Sequence, residues 1–391
     1  MQDQVDELAC VVLFLYRGLI LTRTVFYEAL REKVASLGGY HNAHLHLDRS
    51  HTLGRVDATT PDNAAHLTLS KKHSLISDIH QGVLYTTANL TARLNESLDE
   101  MVACNTRRAD SVIDVTADGL GLRALETAKA VSKARSKEID FRVAVYSPLG
   151  FRDDAPERWD LIEQGAKMVD FIGCLPERDD TTDYPDHIGY EHSCRRMLDL
   201  AARTGLEIQL HTDQVNHPNE RGTEQLLDVI EADGITLGST DAPKIWVVHM
   251  ISPATYTEAR WSKLVARMRD ANIGVICCPS AAVGMRQIRG MMTPTANSIA
   301  RVLDLCASGI HVRLGSDNLA DMLSPSTTAN LTDEVFMLSA ALRFYDIEVL
   351  AKLACGHPLN KDNIQTVQQH LEADHVEMAK AMRRWGPVSA P

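Results

Sequence analysis

The sequence predicts an α/β fold, a closed (β/α)8 TIM barrel with helical extensions at both ends. Two observations carry that reading: short β-branched runs recur eight times, and longer stretches of helical period alternate with them. Parallel strands need a long connection to return to the same end of a sheet, so this alternation implies parallel strands joined by crossover helices. Eight such units suggest closure. A length of 391 residues exceeds the usual single domain, but barrels often run past about 250 residues as one unit.

Over residues 5–37 apolar residues recur at three and four, and Gly38-Gly39 stops the pattern, so a helical extension precedes a first strand that ends near His44. Further strands are expected at 112–116, 141–146, 168–174, 206–210, 245–248, 273–277 and 310–314. Helices are expected between them at 122–136, 159–166, 191–204, 223–232, 256–272 and 299–308, with 333–353 and 365–385 beyond the last strand. No Pro/Gly/Ser linker divides the chain, which reads as extension 1–37, barrel 38–360 and tail 361–391.

Lys and Arg total 40 against 52 Asp and Glu, and a formal charge of −12 argues against nucleic acid as the main partner. Hydrophobic residues at 45% and charged residues at 24% fit a globular chain. The apolar segment 8–21 contains Arg17 and is too short to span a bilayer, and Asp3, Asp6 and Glu7 oppose a signal peptide. That segment is expected to cover the barrel bottom. Eight cysteines without a Cys-x-x-Cys pair read as buried thiols in a reducing cytoplasm. No membrane association is expected, and a homo-oligomer is left open.

His44 and His46 close strand one, His211 strand five, His249 strand six and Asp317 strand eight. In a barrel the carboxyl ends of all strands meet on one face, so these five residues converge. Alternate strand residues point the same way, which aims His44 and His46 at one centre. Neutral imidazoles with one carboxylate suit a divalent ion such as zinc or ferrous iron. His66, His73, His80, His217, His311, His357, His370 and His375 read as ordinary core or surface histidines.

His44-Leu45-His46-Leu47-Asp48-Arg49, Leu210-His211-Thr212-Asp213-Gln214, Val248-His249-Met250 and Leu314-Gly315-Ser316-Asp317-Asn318 resemble, in order, the four metal signatures of the amidohydrolase superfamily. The context is most similar to its cytosine deaminase branch, which includes N-isopropylammelide amidohydrolase. The resemblance spans residues 38–360 and includes Phe171-Ile172-Gly173-Cys174-Leu175-Pro176. It implies a metal-dependent hydrolase of the C–N bond of a small heterocycle, a pyrimidine or triazine. It also implies one divalent ion held by His44, His46, His211 and Asp317, zinc first, with iron or manganese as alternatives. His249 would stand beside the activated water, and Asp317 would take its proton. Some relatives carry a lysine after strand four that bridges two metals; here the place reads Cys174-Leu175-Pro176-Glu177, so one ion is expected.

Two departures qualify the resemblance. Cytosine deaminase has a proton-carrying glutamate where this chain has Gln214, and an amide cannot carry a proton. The triazine-cleaving relative also lacks that glutamate. Asp317 with His249, then Asp213 or Glu177, are the candidates to carry the proton; as alternatives, Asp213 caps the following helix and Glu177 is a solvated loop charge. The second departure is that the helical ends leave little or no room for the branch's β-sandwich. Further substrate-binding candidates are Asp48, which with Arg49 either orients a ligand or forms a surface salt bridge, Ser280 in a 280–286 segment that matches the strand-seven loop closing over substrate in the family, and Asn318, facing a neutral ring edge. Asp179, Asp180, Asp183 and Asp186 read as solvated surface. The rival function is a catalytically impaired barrel that binds a small ligand or regulates, favoured only by Gln214.

Overall fold

The computed structural model describes residues 24–53, 72, 75–237, 242–285 and 299–386. Among these, one sheet of eight parallel strands runs in chain order: β1 (Tyr40–Leu45), β2 (Thr106–Asp114), β3 (Asp140–Tyr146), β4 (Phe171–Cys174), β5 (Glu207–Thr212), β6 (Ile245–His249), β7 (Ile273–Cys277) and β8 (Val312–Leu314). β1, β4, β6 and β7 are buried along their whole length, as parallel strands covered on both faces must be. Alternation separates the two faces. Val145 and Val247 join the main core against the helices, while Tyr146, Trp246 and Val248 fall in two small clusters inside the barrel.

The ring closes through a parallel bridge between Leu45 and Asp317, beyond the end of the three-residue β8. The Asn42 carboxamide supplements the short ladder there: its Nδ2 donates to Ser316 Oγ at 2.8 Å and its Oδ1 accepts from Ser316 N at 2.9 Å. Gly315 permits this approach, because a Cβ on it would lie 2.9 Å from the His44 backbone N and O.

Helices α1 (Val25–Ser36), α2 (Ile76–Gln81), α3 (Thr87–Ala103), α4 (Arg123–Arg135), α5 (Glu157–Gly165), α6 (Tyr190–Thr204), α7 (Gly222–Asp233), α8 (Glu258–Asp270), α9 (Pro279–Gly284) and α10 (Val302–Ala307) precede or link the strands. α11 (Leu331–Leu342), α12 (Ile347–Ala354) and α13 (Lys361–Trp385) follow β8. The segment 8–21, Cys10, His66 and His73 lie outside the described residues. Six of the seven described cysteines are buried free thiols; Cys104 is half-buried, a correction to the uniform expectation. No described helix is long and apolar enough to cross a membrane.

Three sequence expectations change. The single helix 333–353 is two, because Arg343 turns left-handed at φ 54° and Asp346 caps α12 through Val349 N at 2.9 Å. β2 begins at Thr106 rather than 112; its polar start hides it, since Arg108 and His41 both pair with the buried Asp110. The expectation also lacks α3, whose buried Leu90, Leu94, Leu98 and Met101 recur at helical spacing after the Thr86 cap.

Candidate active site

The carboxyl ends of β1, β5, β6 and β8 place the five expected residues together. His44 lies in β1 and His46 one residue beyond it, His211 in β5, His249 at the end of β6, and Asp317 three residues past β8. One ligand atom each from His44, His46, His211 and Asp317 lies within 4.8 Å of all the others, and all four residues are buried. His46 Nε2 is 3.2 Å and His44 Nε2 3.8 Å from Asp317 Oδ1. The His249 ring stands 5.4 Å from that of His211. His249 and Asp317 both hold left-handed backbone, at φ 77° and 63°, a sparse conformation for residues with a Cβ.

The hydrogen bonds fix the tautomers at the centre. His211 Nδ1 is 3.0 Å from the Cys174 carbonyl, which can only accept, so Nδ1 carries the proton. Gln209 Nε2 donates to the Ala43 carbonyl at 3.1 Å, which turns Gln209 Oε1 to His44 Nδ1 at 2.8 Å and makes that nitrogen a donor too. Both Nε2 atoms therefore present lone pairs, and they lie 3.0 Å apart. Two acceptors that close repel unless a cation lies between them. Burial, with the neighbouring His46, lowers the His44 pKa to about 4, and burial followed by the nearby imidazoles lowers His211 well below its usual value, so a proton is a poor cation here. Nitrogens bound to one zinc ion at about 2.1 Å lie roughly 3 to 3.5 Å apart. The donor set thus fits a divalent metal.

A cavity of about 930 Å³ opens over this centre. His46, His211, His249, Asp317, Glu177 and Gln214 line it, as do Ser280 and Asn318. Gln214 Nε2 donates to Glu177 Oε2 at 2.6 Å. Burial, then the carboxylates of Glu220 and Asp213, push the Glu177 pKa well above the usual range. Ser280 is committed to Glu334, through its N at 2.8 Å and its Oγ at 2.5 Å, and Asn318 Nδ2 donates to Asp321 at 2.5 Å.

Two expected substrate contacts face away from the cavity. Asp213 is fully buried and accepts from Gly222 N at 2.7 Å and Thr223 N at 2.9 Å, so it caps α7, where unpaired N–H groups attract a carboxylate. Asp48 is also fully buried, accepting from the Tyr85 hydroxyl at 3.0 Å and Asp114 N at 3.1 Å. Arg49 is no surface partner for Asp48; it is buried, pairs with Asp114 through Nε and Nη2, and reaches the cavity wall. In the acidic loop Asp179 is buried, accepting from Phe151 N at 2.6 Å, because it ties the turn after β3 to the one after β4.

The sequence reading missed Asp114 and Tyr146, although both end strands and so obey the rule that found the histidines. Tyr146 packs its ring against His46 and His211, each at 5.4 Å. His80 is not an ordinary histidine either. It bridges Asp114 at 3.1 Å and Asp118 at 2.8 Å; burial alone would lower its pKa, but these bonds outweigh burial and raise it to about 9.

No family model matches the chain. An uncharacterized protein from Haemophilus influenzae is 26% identical over 275 residues, 68% of this chain and 90% of its own length. Among solved structures, 5-methylcytosine deaminase from Klebsiella pneumoniae is similar with a TM-score of 0.67 and 20% identity, covering 85% of this chain and 82% of that one. N-isopropylammelide isopropylaminohydrolase from Burkholderia multivorans is similar with a TM-score of 0.61 and 17% identity over the same shares. At these identities the likeness shows a shared fold, the same eight-stranded parallel barrel as in these two enzymes.

Proposed function

We propose that this chain is a metal-dependent hydrolase that breaks a C–N bond of a small nitrogen heterocycle, a pyrimidine or triazine, releasing ammonia or an amine. The observation that carries this reading is the 3.0 Å approach of two imidazole lone pairs, His44 Nε2 and His211 Nε2, beside Asp317 on the wall of a cavity with ample room for a small heterocycle. The likeness to deaminases and aminohydrolases of such rings supports the substrate class.

His44, His46, His211 and Asp317 would hold one divalent ion, with zinc the first choice for three imidazoles and a carboxylate and iron or manganese as alternatives. Such an ion lowers the pKa of a bound water from 15.7 to about 7 and so makes hydroxide available at neutral pH. Asp317 takes the water proton on a carboxylate oxygen and passes it to the departing nitrogen. His249, beside that centre, would orient the attacking hydroxide, which keeps its O–H as it reaches the ring carbon. Gln214 offers amide hydrogen bonds to the ring. Residues 38–360 form the catalytic unit, and the free thiols suit a reducing compartment such as the cytoplasm.

The test is metal analysis of the purified chain, followed by ammonia or amine release from cytosine, 5-methylcytosine and N-isopropylammelide. Expected are about one equivalent of divalent metal and turnover of at least one ring. Bound metal with no release from any ring would favour a ligand-binding barrel instead.

A further inference from the structure

Hydrolysis of the bond between a ring carbon and its amino substituent needs two proton deliveries, one to the departing nitrogen and one to the ring nitrogen that takes up charge as the carbon is attacked. Asp317 serves the first. For the second, the cavity wall offers Glu177, Glu220, Asp180 and Asp183. Asp183 is exposed, and Asp180 accepts from Thr182 N at 2.8 Å within its own turn. Glu220 is held by Val215 N at 2.9 Å and by the Ser252 hydroxyl.

Glu177 differs from these. It stands on the turn after β4 and is held by Gln214, whose Nε2 donates to Oε2 at 2.6 Å and whose backbone N–H also faces the carboxyl, while Oε1 is buried with no hydrogen-bond partner among the described residues. The groups around it are Gln214, the carboxyls of Glu220 and Asp213, and the Tyr190 hydroxyl, also buried without a described partner. The adjacent Arg178 donates Nη1 to the Tyr184 hydroxyl at 2.6 Å and stacks on that ring. A carboxyl among acceptors and other acids, unneutralised by a cation, keeps its proton near neutrality. The terminal torsion of Glu is broad and two-fold, so either oxygen can carry that proton to the cavity side.

Resting on the hydrolytic reading above, we propose that Glu177 is the acid that protonates the ring nitrogen, with Gln214 as its positioning residue. As the C–O bond forms, the Glu177 O–H breaks and an N–H bond forms on the ring, leaving carboxylate. When the C–N bond breaks, the departing nitrogen leaves with the proton from Asp317. The hydroxyl on the attacked carbon becomes a carbonyl and returns its proton to Glu177. Water is the only co-reactant consumed.

The experiment compares wild type, E177Q and the exchange variant E177Q/Q214E in metal-loaded form on cytosine, 5-methylcytosine and N-isopropylammelide. E177Q should retain metal and melting temperature yet lose about 100-fold or more in kcat. The exchange variant should regain at least about tenfold over E177Q, because the carboxyl is restored within one hydrogen bond of its original place. An E177Q enzyme with wild-type kcat overturns the proposal, as does an exchange variant no faster than E177Q. Infrared difference spectra of wild type against E177Q give a readout free of turnover. A protonated-carboxyl band should persist at about pH 6, where an ordinary glutamate of pKa about 4.3 is ionised, and its absence overturns the assignment. If the wild type turns over no ring, the hydrolytic reading fails and takes the proton step with it, while the band still reports separately whether Glu177 holds a proton.

Discussion

Asp317 is bonded into the first strand on both sides of the residue it accompanies: its N–H donates to the His44 carbonyl at 2.9 Å, and its carbonyl accepts from His46 N at 3.3 Å. Three of the four converging ligands therefore sit on one backbone bridge, the bridge that joins the last strand to the first.

Gly315 is the tightest point of that seam. Gly315→Ala would set a methyl group 2.9 Å from the His44 backbone, and the overpacking should cost about 1–3 kcal/mol. Metal affinity should fall with stability, measured by urea denaturation and competitive chelation. An unchanged midpoint and affinity would show that the seam relaxes freely.

Gln209 fixes the His44 tautomer without meeting the cavity. Gln209→Leu should weaken metal binding about 10- to 100-fold, since the partner that holds the ligand nitrogen's orientation is lost. Competition with a zinc-specific dye checks this, and retained affinity would contradict the tautomer assignment.

Removal of the ion with a chelator should lower the melting temperature, and restoring zinc should raise it in proportion to the logarithm of free zinc. His211→Ala should abolish that dependence. Zinc-independent melting of the wild type would count against the centre.

His80 has a folded-state pKa of about 9, above its ordinary value of 6.5. Its contribution to stability is therefore fully present below about pH 6.5 and is lost as pH rises through about 9. The stability difference between wild type and His80→Asn should shrink across that window. A difference that is flat from pH 6 to 9 would show that the ring is not protonated between Asp114 and Asp118.

Asp213→Ala should cost about 0.5–2 kcal/mol through the lost cap on α7. Because Asp213 faces the helix and not the cavity, KM should move little. A large KM change at unchanged stability would return it to the substrate contacts.

The barrel was legible because parallel strands buried on both faces write continuous apolar runs, as at Ile273–Cys277, where the expected and observed bounds coincide. The centre was legible because side chains at strand ends share one rim. What stayed hidden depended on contacts between distant residues. Asp213 looks the same in sequence whether it meets a substrate or the N-terminus of α7. Asp48 and Glu177 each follow a strand end, yet one turns to Tyr85 and the other to Gln214. β2 was cut short because Arg108 and Asp110 read as surface, although the buried Asp110 answers His41 across the sheet.

The closing bridge gives ion capture a place in the order of assembly. A nascent chain can present His44, His46 and His211 well before its eighth strand exists, but Asp317 arrives only with that strand, so full-strength binding of the proposed ion would certify that the ring has been completed. Chains stopped short of residue 317 should load metal poorly however well their first seven strands have formed.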